Sequence, residues 1–214
     1  MFFYFFALKE LWSPLNVFRY ISVRSAGAAL TALLLSLLLG PVLIRFLQAQ
    51  KIGQLQRKDG PQTHLSKEGT PTMGGLLIFS TVVLSALLWM RLDLGLSWLM
   101  LFVTISLTAV GAWDDYLKLI RKDPRGASSR LKFIVQIAVA LIVVGYLAIY
   151  PPHPNYITKL LIPYMKQTTI DLGPFYFVLA VLIFVGSSNA VNLTDGLDGL
   201  ACGSIIFCAI AYSL

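Results

Sequence analysis

The chain has 214 residues, of which 57% are hydrophobic and 13% charged, with a mean hydropathy of +0.76 and a net charge of +7. A soluble domain carries about twice that share of charge and spaces its apolar residues at helix or strand periods, whereas here they stand in long blocks; this excludes an ordinary soluble enzyme and predicts an integral membrane protein. The basic balance does not call for nucleic acid, because loops between membrane spans are normally basic on their cytoplasmic side.

In chain order, residues 1–24 (MFFYFFALKELWSPLNVFRYISVR) lack the leading basic region and small-residue cleavage site of a signal peptide. Their Phe, Tyr and Trp content suits a segment lying in the membrane interface. A span needs roughly 20 mostly apolar residues. Spans are predicted near 25–47, 74–91, 95–112, 131–150 and 173–191, with a partial sixth over 199–214. The fold class read from this pattern is all-α: a single polytopic transmembrane helix bundle with five complete spans and part of a sixth. Stopping inside a span predicts a truncated chain. Residues 151–163, PPHPNYITKLLIP, read as an external loop in which His153 is simply solvated. Cys202 and Cys208 stand six apart, pointing roughly 120° away from each other on a helix, and read as free thiols in a core.

Alternating spans divide the loops into two sets. Residues 45–72, 114–132 and 192–198 carry eleven Lys and Arg; the N-terminus, the 91–94 turn and residues 151–172 carry six. The positive-inside rule puts the first set in the cytoplasm and the N-terminus outside. Three polar motifs then share the cytoplasmic face.

The first is GAWDDYLK, with Asp114 and Asp115 at the end of a span. Their carboxylates repel each other and the negative pole of the helix, so a cation must compensate: Lys118 at i+4, Arg121, Lys122, or a hard metal ion such as Mg²⁺. A solvated juxtamembrane charge cluster is the plainer reading. The second is NAVNLTDGLDGLA, residues 189–201. Asp195 and Asp198, three apart, share a helix face, and Thr194 or Asp195 suits the N-cap of a following helix. The density of Asn189, Asn192, Thr194, Asp195 and Asp198, with Gly196 and Gly199 permitting close approach, favours a binding role over capping alone. The third is HLSKEGTPTMGG, residues 64–75, a Gly-rich entry to a span in which Lys67, Thr70 and Thr72 are suited to hydrogen-bonding a phosphate or a base. It is not a P-loop, and His64 reads as a loop residue. Acids for a metal, basic groups for phosphate and amides for polar recognition suit phosphoryl transfer from a soluble nucleotide donor to a lipid carrier.

The strings RKDGPQTHLSKEGTPTMGG, GAWDDYLKLIRKD and NAVNLTDGLDGLA closely resemble the phospho-N-acetylmuramoyl-pentapeptide transferases, a branch of the polyprenyl-phosphate N-acetylhexosamine-1-phosphate transferase family. The resemblance runs from about Val17 to the C-terminus. It implies transfer of phospho-MurNAc-pentapeptide from UDP-MurNAc-pentapeptide to undecaprenyl phosphate, giving lipid I and UMP for peptidoglycan and cell wall synthesis. It also implies Mg²⁺ as cofactor, the cytoplasmic face of the bacterial inner membrane as location, and a homodimer of ten-span chains. By the same resemblance, Asp114 is the acid that deprotonates the lipid phosphate or helps organise the metal, with Asp115 its partner. Asn189, Asn192, Asp195 and Asp198 form the nucleotide side, with the Leu193–Gly196 backbone beside the uracil. Lys67 and Thr72 flank that pocket, and Lys132 is a candidate phosphate contact.

The family's third essential acid and its histidine-rich motif belong to later loops and are not in these residues, so the 214-residue chain is expected to be inactive alone. A sister transferase using UDP-N-acetylglucosamine is the nearest alternative, although GTPTMGG resembles the muramoyl-pentapeptide branch more closely. A transporter or channel would typically show symmetric interrupted helices in two halves, and no internal repeat is found.

Overall fold

A computed structural model describes residues 1–49, 74–119, 121, 126–154, 157–162, 169–195 and 199–213. It divides into two compact units, Met1–Ser128 and Ser129–Leu214.

The first unit opens with two 3₁₀ segments, Phe2–Leu8 and Ser13–Arg19, followed by α1 (Ile21–Ala49), α2 (Gly75–Trp89) and α3 (Gly95–Leu119). The 3₁₀ segments carry the predicted aromatic character into packing. Phe2 and Phe18 stack at 6.0 Å between centroids, and Phe2 lies 4.7 Å from the Trp89 ring at the end of α2. Arg24 and Arg91 each place a guanidinium 4.9 Å from the Phe3 centroid, a cation–π arrangement suited to a membrane interface.

Helix α1 has 29 residues and so is about 43 Å long, enough to cross a bilayer of about 30 Å with length to spare. Only 6% of its apolar window is buried, so the leucines of 30–38 face outward, which in water would be untenable and in lipid is ordinary. Small and polar residues join α1 to α2 instead of a greasy core, because lipid tails are as apolar as Leu and give helices no hydrophobic reason to associate. Ser85 Oγ donates to the Ala28 carbonyl at 2.6 Å, and Trp89 Nε1 donates to Thr31 Oγ1 at 2.9 Å. Gly27 lets the Trp89 ring lie against the α1 backbone; a Cβ there would meet that ring.

The second unit holds α4 (Ser129–Ile149), a small hairpin of β1 (Lys159–Leu161) and β2 (Thr169–Asp171), α5 (Phe175–Thr194) and α6 (Leu200–Ser213). The strands pair antiparallel with Leu160 opposite Ile170, and Lys159 opposite Asp171. Thr158 Oγ1 at 2.6 Å and the Gly173 N–H at 2.9 Å both donate to Asp171 Oδ1. These bonds, the Thr158 hydroxyl foremost, hold the Asp171 carboxyl below the usual carboxylate range, with the charge of Lys159 adding to them.

Several sequence expectations need correction. Among the described residues, four helices (α1, α3, α4 and α5) are long and apolar enough to cross a membrane, and α2 and α6 are shorter apolar helices near the other two predicted spans. Helix α2 has only 15 residues, because Met90 turns to an extended conformation and the Arg91–Asp93 pair, 2.6 Å apart, closes the following turn. Helix α6 has 14 residues. Helix α3 runs seven residues past the predicted end at 112, to Leu119, so both acidic residues lie within it rather than beyond it. The 151–172 segment contains a hairpin as well as loop, with His153 exposed as expected. Cys202 and Cys208 are free but exposed, not in a core, because α6 buries only Ala201 among its described residues.

Candidate active site

In the first unit the predicted acidic pair lies in the last turns of α3. Asp114 is buried, 8% exposed, and is the charged member of a small described core whose other buried polar side chains are Thr81, Ser85 and Gln136. Charge is costly there unless paired and hydrogen-bonded, and both oxygens are supplied. Lys118 Nζ donates to Oδ2 at 2.7 Å, the i+4 compensation expected from the spacing. The Ala127 N–H donates to Oδ1 at 2.8 Å.

That second bond ties the loop after α3 back onto the helix, and it depends on Gly126. Gly126 has φ +62°, a left-handed conformation that other residues adopt at a cost. A Cβ at that position would meet Asp114 Oδ1 and approach Lys118 Cε to 2.7 Å. Asp115, adjacent on α3, is half-buried, and its carboxylate points about 100° away from that of Asp114 around the helix. Trp113 and Tyr116 stack at 5.7 Å on the same stretch. The result is a preorganised helix end with two carboxylates, a lysine and a backbone loop clamped to it.

In the second unit the amide-rich motif ends α5, antiparallel to α4. Asn189 Nδ2 donates to the Val185 carbonyl and to Gln136 Oε1, both at 2.8 Å, and Gln136 Nε2 donates to Ser188 Oγ at 3.1 Å. Lys132 is half-buried one turn before Gln136 on α4, on the same face by its i−4 spacing. Pairing of 136 with 188–189 in an antiparallel register sets Lys132 level with Asn192 and Leu193. Asn192 is exposed, and Leu193 is 81% exposed. Thr194 Oγ1 donates back to the Ala190 carbonyl at 2.8 Å.

Asp195 overturns the N-cap expectation: it is the C-cap of α5, its N–H bonded to the Val191 carbonyl at 3.2 Å, and α6 begins only at Leu200 after Gly199 at φ +79°. It therefore sits, exposed, at the negative pole of its helix. The predicted shared face of Asp195 and Asp198 involves residues outside the described ones. Gly196 and Asp198, like Lys67 and Thr72, lie outside the described residues.

The fit to a metal ion is partial. Among the described residues no group of three or more His, Cys, Asp or Glu side chains could hold one. Mg²⁺, however, keeps several waters and is often held by one or two carboxylates plus substrate phosphates, a role open to the Asp114–Asp115 pair. The residues that sequence reading misses are Gly126 and Ala127, whose roles are set by backbone conformation, and Gln136 and Ser188. For Gln136 a signal exists, since a lone amide in an apolar span demands a partner.

The fold and these two polar helix ends define a multi-pass membrane protein that offers acids, a lysine and amides at helix ends. The profile of glycosyl transferase family 4 matches residues 97–214, and phospho-N-acetylmuramoyl-pentapeptide-transferase signature 1 matches residues 67–79. The chain belongs to glycosyl transferase family 4, on the branch that this signature marks.

Among curated proteins it is 51% identical over 209 residues to the phospho-N-acetylmuramoyl-pentapeptide-transferase of Desulfotalea psychrophila, covering 98% of this chain and 57% of the relative. It is 47% identical to the protein of that name from Syntrophus aciditrophicus, over 98% of this chain and 57% of the relative. It is 45% identical to that from Endomicrobium trichonymphae, over 98% and 58%. The chain thus spans somewhat more than half the length of these relatives.

Proposed function

We propose that this chain forms part of a transferase that moves phospho-MurNAc-pentapeptide from its UDP donor to undecaprenyl phosphate, yielding lipid I and UMP at the cytoplasmic face of the bacterial inner membrane. The observation that carries the reading is the 45–51% identity, over nearly the whole chain, to relatives bearing that transferase name. Loop charge supports the orientation, with the N-terminus outside and the ends of α3 and α5 in the cytoplasm.

The chemistry asks mainly for positioning and charge neutralisation. Asp114, with both oxygens bonded, first organises the end of α3: it fixes Lys118 and the 126–127 loop. A carboxylate has about four acceptor sites on its two oxygens, so Asp114 can take a proton from the acceptor lipid phosphate with Lys118 still beside Oδ2, where the lysine is placed to meet phosphate charge. Mg²⁺, when bound by Asp115 and Asp114, would supply charge neutralisation on the donor pyrophosphate. Asn189, Asn192, Asp195 and Asp198 face the nucleotide, beside the Leu193–Gly196 backbone. Lys132, level with Asn192, is assigned to phosphate contact, and the resemblance assigns donor binding also to Lys67 and Thr72, which lie outside the described residues. The assembly is a homodimer, and the 214-residue polypeptide alone gives no turnover.

The test is UMP release by the full gene product supplied with UDP-MurNAc-pentapeptide, undecaprenyl phosphate and Mg²⁺, with UDP-N-acetylglucosamine as competitor. Donor- and acceptor-dependent UMP release supports the reading. Preference for UDP-N-acetylglucosamine, or ion flux without UMP release, refutes it.

A further inference from the structure

The α4–α5 amide network does more than join two helices. The Val185 carbonyl can only accept, so the Asn189 atom 2.8 Å from it must be the NH₂ group. The second hydrogen of that NH₂ meets Gln136 at 2.8 Å, so Gln136 must present Oε1 there. Its own NH₂ is then turned to Ser188 Oγ at 3.1 Å. Each amide orientation fixes the next, and both donors of Asn189 are engaged. What Asn189 offers beyond the network is Oδ1, an acceptor. Gln136 is 8% exposed and its amide is engaged on both sides, so the orientation is held rather than averaged.

We infer that Gln136 is a positioning residue, which locks the Asn189 side chain with its carbonyl oxygen turned outward to accept a hydrogen bond from an N–H or O–H donor of the bound nucleotide. The inference rests on the nucleotide reading of the α5 end given above, and adds that Asn189 acts as an acceptor, set from a neighbouring helix. Removing Gln136 leaves the Asn189 NH₂ held, among the described residues, by the Val185 carbonyl alone, one bond in place of two, so the side chain is held less tightly.

The experiment measures UMP affinity by calorimetry, KM and kcat for the UDP donor, and melting temperature for the full gene product in detergent. Gln136→Leu is expected to weaken UMP binding roughly tenfold, the effect of one hydrogen bond, and to raise KM similarly with kcat within about twofold. Gln136→Glu should recover most of the affinity. When neutral, its carbonyl accepts from Asn189 and its O–H donates to Ser188; when ionised, it accepts from both. On an Asn189→Ala background, Gln136→Leu should add no further loss. Should Gln136→Leu not fold, Ser188→Ala removes only the brace behind Gln136, and a two- to threefold loss of UMP affinity is expected.

Unchanged UMP affinity in Gln136→Leu, or in Ser188→Ala where that variant stands in for it, overturns the positioning role while leaving the nucleotide reading intact, even if the melting temperature falls. Additive losses in the double variant overturn it as well. Unchanged affinity in Asn189→Ala removes Asn189, and Gln136 with it, from the nucleotide site. Wild-type protein that does not bind UMP overturns the nucleotide reading itself.

Discussion

Gly126→Ala tests whether the loop after α3 is clamped to Asp114. The native residue has φ +62°, and the left-handed conformation costs an alanine there about 1–2 kcal/mol. The added Cβ would also meet Asp114 Oδ1, and would sit 2.7 Å from Lys118 Cε. The loop must therefore move, and the natural casualty is the 2.8 Å bond from the Ala127 N–H to the carboxylate. A hydrogen bond to a charged group contributes about 1.5–3 kcal/mol net. Partial relaxation recovers some of this, leaving a loss of about 3 kcal/mol, more than a hundredfold in the clamping equilibrium.

The assay is thermal unfolding in detergent followed by tryptophan fluorescence, with Trp113 stacked on Tyr116 as a local reporter. Gly145→Ala is the control: Gly145 lies within α4, and a Cβ added there would have nothing within 4 Å, so alanine should be neutral or mildly stabilising. A melting temperature for Gly126→Ala equal to that of Gly145→Ala would refute the clamp.

Other substitutions probe separate features. Gly27→Ala drives a methyl into the Trp89 ring, and overpacking of this kind costs about 1–3 kcal/mol; a lower melting temperature and weaker fluorescence of the α1–α2 pair are expected, and an unchanged melt would count against the packing. Lys118→Met removes the cation on Asp114 Oδ2; the lysine is 44% exposed at its side chain but the carboxylate is buried, so a stability loss of about 1–3 kcal/mol is expected together with a fall in turnover, and lower stability with normal turnover would make the pair structural only. The hairpin should show acid sensitivity. The Asp171 carboxyl is depressed in the folded state, so its contribution is full above the unfolded value near pH ~4 and is lost as pH falls through the lower folded value. Amide protection factors over 158–162 and 169–173, corrected for the intrinsic rate at each pH, should fall below about pH 4, and that fall should be smaller in Thr158→Val; equal profiles for the two proteins would contradict it.

Much of the bundle is legible in the sequence because lipid imposes long apolar blocks, and α1, α3, α4 and α5 fall close to their predicted positions. Helix ends are less so. Hydropathy falls at Asp114, which predicts that the span stops there, but helical hydrogen bonding is indifferent to hydropathy and Lys118 makes the charge tolerable one turn further on. The Asp114–Lys118 pair is readable because it is local, at i+4. The Ala127 bond is not, since it spans thirteen residues and depends on a glycine conformation that no pattern encodes. Asp195 is easily misread because Thr-Asp serves equally as the start of one helix or the stop of the previous one; only backbone hydrogen bonding separates them. Gln136 hides within an apolar run, although its partners Ser188 and Asn189 stand in or beside a motif that the sequence marks as polar.

If this chain contributes the acidic and nucleotide-facing parts of the proposed transferase, Asp114→Asn in the full gene product should nearly abolish turnover. The measurement is the initial rate of UMP release from UDP-MurNAc-pentapeptide with undecaprenyl phosphate and Mg²⁺, alongside the melting temperature. The expected result is a fall of at least roughly a hundredfold in rate with the protein still folded and inserted, since asparagine keeps an acceptor for the Ala127 N–H. UMP release at the wild-type rate would contradict it.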